Sequence, residues 1–235
     1  MLEGKYNYFA RDKIYSEENF KLSREDKSFG NFVLTAQTMS RVASGEFLKV
    51  NVEYCYTAKF ETKSIKVNRQ MGPNESTEMV NVDHKTKTFD YIYTHNGKTQ
   101  KFNYHFNNYV HLATPCFSTT MLMTQMKKID PVHRTPYSVY TSPNIWEFKQ
   151  EIFAQEMYVE LQEIEPVDLE INGNQLNATH CKLLQVGESG TISKEGLDIY
   201  LSKYHGIPYL GHFSDGVTIK IERLKNYEAN KVKLT

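Results

Sequence analysis

The chain has 235 residues, enough for one large β domain or two small ones. Its 28 basic and 28 acidic residues balance, which argues against a nucleic-acid-binding protein, since such proteins normally carry a basic excess. No apolar run is long enough for a membrane-spanning helix, whereas 16 Tyr and 13 Phe make the chain rich in aromatic rings.

The N-terminal stretch MLEGKYNYFARDK lacks the apolar segment of a signal peptide. We therefore expect a cytoplasmic protein; the alternative is a periplasmic or secreted protein from which a signal peptide was removed. Residues 1–27 scatter aromatic side chains among charged ones. They are predicted to form a short strand followed by a loop or a helical turn.

From residue 29 to residue 112 the chain is predicted to form a meander of short antiparallel strands. The segment Phe47–Thr57 alternates most clearly, because its even-numbered side chains are apolar and its odd-numbered ones are mostly polar. The predicted core face consists of Leu48, Val50, Val52, Tyr54 and Tyr56.

The strongest local signal is Asn96-Gly97, which lies between two aromatic runs. Asn-Gly tolerates positive φ at both central positions of a type I′ turn, so it predicts a two-residue hairpin. One face of this hairpin is almost wholly aromatic, formed by Phe89, Tyr91, Tyr93, Phe102, Tyr104 and Phe106.

The periodicity changes after Pro115. The stretch CFSTTMLMTQMKKI predicts a short helix of about three turns. Ser118 or Thr119 is the expected N-cap, and Lys127-Lys128 lie in the last turn. Its methionines give a soft apolar surface, and we expect the helix to plug one end of the sheet.

Beyond a proline-rich loop, a second β block ends in hairpins at Asn172-Gly173 and Ser214-Asp215-Gly216. The predicted fold is mainly β, an antiparallel meander forming a barrel or strongly curved sheet with one short helix. We expect a single domain, residues 1–235. Its β-rich halves, 28–112 and 145–224, are joined by the helix and the loop, 115–144.

The closing unit, LDIYLSKYHGIPYLGHFSDGVTIKIERL, combines a strand, a Gly-x-Pro bend and a final hairpin. It resembles the C-terminal part of a family of bacterial domains of unknown function, mostly exported, that form open, curved β-barrels. The resemblance covers about the last third of the chain and implies a fold, without a set of catalytic residues. This chain departs from the family in lacking an export signal.

Candidate acid–base residues cluster near this bend: Tyr204, His205, His212 and Asp215. The competing interpretation is ordinary turn chemistry, because Asp-Gly is a common turn pair. His105 and His111 would share the non-aromatic face of an unbroken strand, where a polar row is favoured over a metal pair.

Cys55, Cys116 and Cys181 are too far apart for a zinc motif, and buried free thiols are expected. Cys116 is a nucleophile candidate at a helix N-terminus, but burial as a small apolar residue is favoured. No phosphate-binding loop, HExxH or GxSxG motif is present, and the sequence predicts neither a cofactor nor a metal.

Two functional hypotheses follow. The first is a lipocalin-like binding protein for a small hydrophobic molecule such as a lipid, isoprenoid or polyketide. Its predicted ligand-binding residues are Tyr91, Tyr93, Phe102, Tyr104, Phe106, Met121, Met123 and Trp146. The second is a cofactor-independent isomerase, cyclase or hydrolase that uses the same pocket. A module with a solid core is the remaining alternative, and the sequence leaves the choice open.

Overall fold

The structure is a computed structural model, and it describes residues 1–26, 30–106, 110–122, 130, 132, 134–141, 148, 153–187, 191–202 and 206–227. The described strands are β1 (Leu2–Ala10), β2 (Lys13–Asp26), β3 (Asn31–Arg41), β4 (Phe47–Tyr56), β5 (Thr62–Met71), β6 (Asn74–Asp83), β7 (Thr88–His95), β8 (Lys98–His105), β9 (Val110–Leu112), β10 (Thr135–Thr141), β11 (Phe153–Leu161), β12 (Val167–Ile171), β13 (Asn174–Val186), β14 (Ile192–Ser202), β15 (Pro208–His212) and β16 (Val217–Asn226). Within this part of the chain, no helix has the length and apolar character needed to cross a bilayer.

All these strands belong to one 16-stranded sheet, in the order β8-β7-β6-β5-β4-β3-β2-β1-β16-β15-β14-β13-β11-β10-β9, with β12 added to β13. The pairs are antiparallel except for β9 with β10. The predicted antiparallel meander and mainly β fold are therefore confirmed. β1 lies at the junction, because it pairs with β2 on one side and with β16, near the other end of the chain, on the other.

The sheet curves strongly, and its two edges approach each other without a backbone ladder between them. Tyr140 on β10 packs edge-on against Phe89 on β7, with ring centroids 4.9 Å apart. Its hydroxyl donates to the carbonyl of His105, at the end of β8, over 2.9 Å. Side chains therefore connect the edges that backbone hydrogen bonds leave open.

The prediction for residues 1–27 was wrong, because β1 and β2 are long strands joined by a tight turn. Arg11 and Asp12 both take positive φ, 48° and 63°. This is the backbone of a type I′ turn, here without the glycine that normally signals it. Tyr6 and Tyr8 therefore lie on the buried face of a strand at the centre of the sheet.

The glycine-containing hairpins match their predictions. Asn96 and Gly97 have φ of 45° and 81°, and Asn172 and Gly173 have φ of 52° and 75°. In β4 the predicted core face is buried in full, from Leu48 to Tyr56. Alternation and turn chemistry together therefore predict the register of these strands.

The predicted helix begins as a 3₁₀ turn at Phe117–Thr120. Met121 and Leu122 continue it and are buried, whereas residues 123–129 lie outside the described part. The expected N-cap at Ser118 or Thr119 was wrong, because the N-cap position is Cys116, which makes no side-chain capping bond. The segment 113–122, called the plug segment below, packs inside the curved sheet through Phe117, which contacts Tyr6 edge-on at 5.3 Å.

Small and large side chains alternate across the inner face near the junction. In register, Gly4 faces Phe20 and Phe20 faces Ala36. The Phe20 ring lies over Gly4 and stacks on Tyr6 at 5.3 Å. A glycine is needed at position 4 because a Cβ there would overlap this ring.

We expect Gly4→Ala to destabilise the protein by about 1–3 kcal/mol, since overpacking forces a buried ring from its rotamer. Urea unfolding measures the change. The double variant Gly4→Ala/Phe20→Leu should lose less than the sum of the two single variants, because the smaller side chain makes room for the methyl group. Additive losses would contradict the steric explanation.

Candidate functional site

The candidate site is a cavity of about 340 Å³ between the plug segment and the inner face of the sheet. β1, β2, β10, β11, β13, β14 and β16 each contribute to its wall. The apolar part of the lining includes Val139, Met157, Leu183, Leu197, Phe213 and Ile219. Apart from Phe213, which lies in the turn between β15 and β16, these residues occupy positions on different strands, so strand alternation and curvature together produce most of the apolar wall.

Polar groups interrupt this wall at a few points: Tyr8, Tyr15, His111, Thr114, Cys116, Thr120 and Asp215. Of these, Tyr8, His111 and Cys116 are buried, whereas Asp215 is exposed. An apolar cavity with a few polar groups is the usual composition of a small-molecule site.

A fully buried carboxylate, Glu18, lies behind the cavity wall. It accepts hydrogen bonds from the Tyr8 hydroxyl, from the Phe117 N–H over 2.7 Å and from the Ser118 N–H over 3.0 Å. Desolvation raises the pKa of Glu18 above its ordinary value, and these hydrogen bonds oppose the shift. Glu18 thus caps the 3₁₀ turn and fixes Tyr8 at the cavity wall.

His111 is buried beside the cavity and stacks on Tyr54, with centroids 6.4 Å apart. Among the described residues, no partner reaches its Nδ1. Burial lowers the pKa of His111 from 6.5 to about 4, so the ring is neutral at pH 7. His105 is exposed on β8, and the expectation that both histidines share one face was wrong because the strand ends between them.

Cys116 lines the cavity as a buried thiol. Desolvation, together with the Glu18 carboxylate nearby, raises the pKa of Cys116 well above its ordinary value. The thiol is therefore protonated at neutral pH, which disfavours a role as nucleophile. The expected burial as a small apolar residue is confirmed, and Cys181 is buried in the same way.

Of the predicted acid–base residues, the structure describes Asp215 and His212. Asp215 borders the cavity, and its Oδ1 accepts the Val217 N–H over 3.0 Å, as a turn residue does. His212 is exposed outside the cavity lining, with Nδ1 3.1 Å from Thr218 Oγ1. Tyr204 and His205 lie outside the described residues, so their part of this group stays a prediction.

The aromatic hairpin forms a separate wall. Tyr91, Tyr93, Phe106 and Met121 are buried, whereas Phe102 and Tyr104 are half-buried. The rings pack on one another, as Phe89 and Tyr104 do at 5.1 Å. None of these predicted ligand-binding residues lines the 340 Å³ cavity; Met123 and Trp146 lie outside the described part of the chain.

Sequence reasoning missed Tyr8, Tyr15 and Glu18, because it did not assign β1 and β2 as long strands. Glu18 falls on the even-numbered, inward face of β2 with Ser16 and Phe20. An acidic residue within an otherwise buried face was the signal that could have identified it. The buried Arg69 on β5, paired with Glu78, was also missed.

A larger groove of about 510 Å³ lies on the outer face of β16 and β1–β5. Its walls carry charged and amide side chains, including Glu3, Lys21 and Glu53, and the buried residues Phe20, Ala36 and Val52 complete the lining. The lining of this groove is more polar than that of the smaller cavity. The smaller cavity is therefore the better candidate for a small-molecule site.

The architecture belongs to the class of β-barrel-like proteins. It is similar to a beta-barrel-like protein of domain of unknown function DUF1849 from Brucella abortus, with a TM-score of 0.58 and 7% identity over 97% of this chain and 98% of that chain. It is also similar to a DUF1089 family protein from Pseudomonas aeruginosa, with a TM-score of 0.52 and 9% identity over 85% of this chain and 90% of that one. No protein-family model and no curated protein matches the sequence. Identities this low establish the fold alone, and they confirm the resemblance to bacterial β-barrel-like domains.

The raised pKa of Glu18 predicts a pH-dependent stability. Relative to Glu18→Gln, the wild-type protein should be most stable below pH 4.5, the ordinary pKa. Its advantage should fall as the pH rises through the raised pKa of the folded state, by at most about 1.4 kcal/mol per pH unit. Urea unfolding of both proteins between pH 4 and pH 8 measures the difference, and an advantage that grows with pH would contradict the assignment.

The lowered pKa of His111 predicts the opposite trend. Its contribution to stability is present above pH 6.5 and is lost as the pH falls toward about 4, because only the unfolded chain accepts the proton readily in that range. The His111→Phe variant should keep the ring stack on Tyr54 without this loss. Thermal unfolding of both proteins from pH 7 to pH 4 tests this, and parallel curves would show that His111 titrates normally.

Proposed function

We propose that the protein binds an apolar or amphipathic small molecule, such as a lipid, an isoprenoid or a polyketide-like compound, in the cavity beside the plug segment. The observation that carries this proposal is the mainly apolar lining, in which a few polar groups stand among aliphatic and aromatic side chains. A volume of about 340 Å³ lies within the range of small-molecule sites, which begins at about 300 Å³.

The energetic argument follows from the lining. Transfer of apolar ligand surface from water contributes about 25 cal/mol for each Å² buried. The plug segment is held by Glu18 through hydrogen bonds that involve no ligand. The wall is therefore preorganised, and binding costs little ordering of the protein.

In this proposal the aromatic wall supports the fold, because its rings already pack against one another and against Tyr140. Met123 and Trp146 stay candidate contacts. The β-barrel-like fold shared with the two bacterial proteins supports the proposal, since barrels and curved sheets commonly enclose ligands.

A second candidate is a cofactor-independent isomerase, cyclase or hydrolase. The observation in its favour is that Tyr8, hydrogen-bonded to Glu18, borders the same cavity as the neutral His111. A phenol and an unprotonated imidazole are suited to proton transfer on a bound molecule. Native mass spectrometry with lipid extraction separates the two functions, because an enzyme converts an added ligand whereas a binding protein returns it unchanged.

We expect Met157→Trp to weaken binding of a fluorescent apolar probe, N-phenylnaphthylamine, at least tenfold. Met157 lines the cavity, and an indole there would fill part of it. The matched control is Tyr158→Trp, which places the same side chain at the adjacent position, on the other face of β11.

Probe titrations of the wild-type protein and both variants, with circular dichroism to establish folding, measure the effect. Probe binding that is unchanged in a folded Met157→Trp variant would locate the ligand elsewhere. Failure of the wild-type protein to bind the probe, together with no co-purifying molecule in native mass spectra, would refute the binding function itself.

A further inference from the structure

The acidic groups around the cavity outnumber the basic ones. Among the residues of the lining that the structure describes, Asp215 is the one with an acidic side chain, and none is a lysine or an arginine. A second carboxylate, Glu18, lies directly behind Tyr8 and Phe117. The electrostatic environment of the cavity is therefore neutral to negative.

The buried cation Arg69 acts on the lining residue Cys116, where it partly opposes the rise of the thiol pKa, but it is already engaged in an ion pair. Arg69 pairs with Glu78 across β5 and β6, and neither residue belongs to the lining. An ionised group that enters an apolar site needs a counter-charge, because desolvation without one costs several kilocalories per mole. Among the described lining residues, a ligand carboxylate would find no such partner.

The polar groups that do border the cavity are uncharged. They are the hydroxyl groups of Tyr15, Thr114 and Thr120 and the imidazole of His111. The low pKa of His111, about 4, keeps its ring neutral at physiological pH. Such groups can donate a hydrogen bond to the oxygen of an alcohol, an ester or a ketone, and can accept one from an alcohol.

We propose that the cavity selects ligands with an uncharged polar head, an aliphatic alcohol, ester or ketone, and discriminates against the ionised fatty acid of the same chain length. This inference rests on the proposed binding function and narrows its ligand class. The discrimination comes from the carboxylates of Asp215 and Glu18 near the site, because the described lining holds no lysine or arginine and Arg69 is already paired with Glu78.

The test is displacement of N-phenylnaphthylamine by decanol, methyl decanoate and sodium decanoate at pH 7.5 and 150 mM salt. Decanol and the methyl ester should bind at least tenfold more tightly than decanoate. Equal affinities, or tighter binding of decanoate, would overturn the inference and leave the binding function intact. Absence of probe binding would refute the binding function instead, so the two failures are distinguishable.

An isosteric variant tests the electrostatic cause. Asp215→Asn removes the charge at the cavity but keeps the oxygen that accepts the Val217 N–H, and it should raise the affinity for decanoate relative to decanol at least threefold. The matched control is Asp83→Asn. Asp83 is also an exposed turn residue, and its Oδ1 accepts the Lys85 N–H over 2.8 Å, but it lies outside the cavity lining.

The control should leave the ratio of the two affinities within twofold of the wild-type value. An equal change in both variants would assign the effect to net charge rather than to the cavity, and would overturn the proposed cause. No change in Asp215→Asn would do the same.

Discussion

The buried carboxylate of Glu18 is the interaction on which the arrangement of the interior depends. A carboxylate without access to water has to be hydrogen-bonded, and its donors come from β1 and from the plug segment. Glu18 and Phe117 are 99 residues apart in sequence. One side chain therefore couples the curvature of the central strands to the position of the plug segment inside them.

The plug segment, held in this way, divides the interior of the curved sheet into two parts. On one side, Phe117 packs over Gly211 and against Tyr6, and the core is closed. On the other side, the same segment forms the wall of the 340 Å³ cavity through Cys116 and Pro115. A plug that fills the interior only partly is what allows a protein with so large a core to have room for a ligand.

The open sheet is stabilised at its edges by aromatic side chains rather than by backbone pairing. Tyr140 bridges β10 to β7 and β8 through a ring contact and a hydrogen bond. The aromatic hairpin, the strongest sequence signal, is thus explained by the architecture before any ligand is considered.

The sequence by itself determined the β class, the alternation of β4 and the hairpins at Asn96-Gly97 and Asn172-Gly173, because these depend on neighbours along the chain. It did not predict the long strands β1 and β2, because the turn between them is formed by Arg11-Asp12 and contains no glycine. Tertiary structure alone decided that Glu18 caps the plug segment and that His111 is buried away from His105. Those outcomes depend on which strands meet across the curved sheet, and that information is spread over the whole chain.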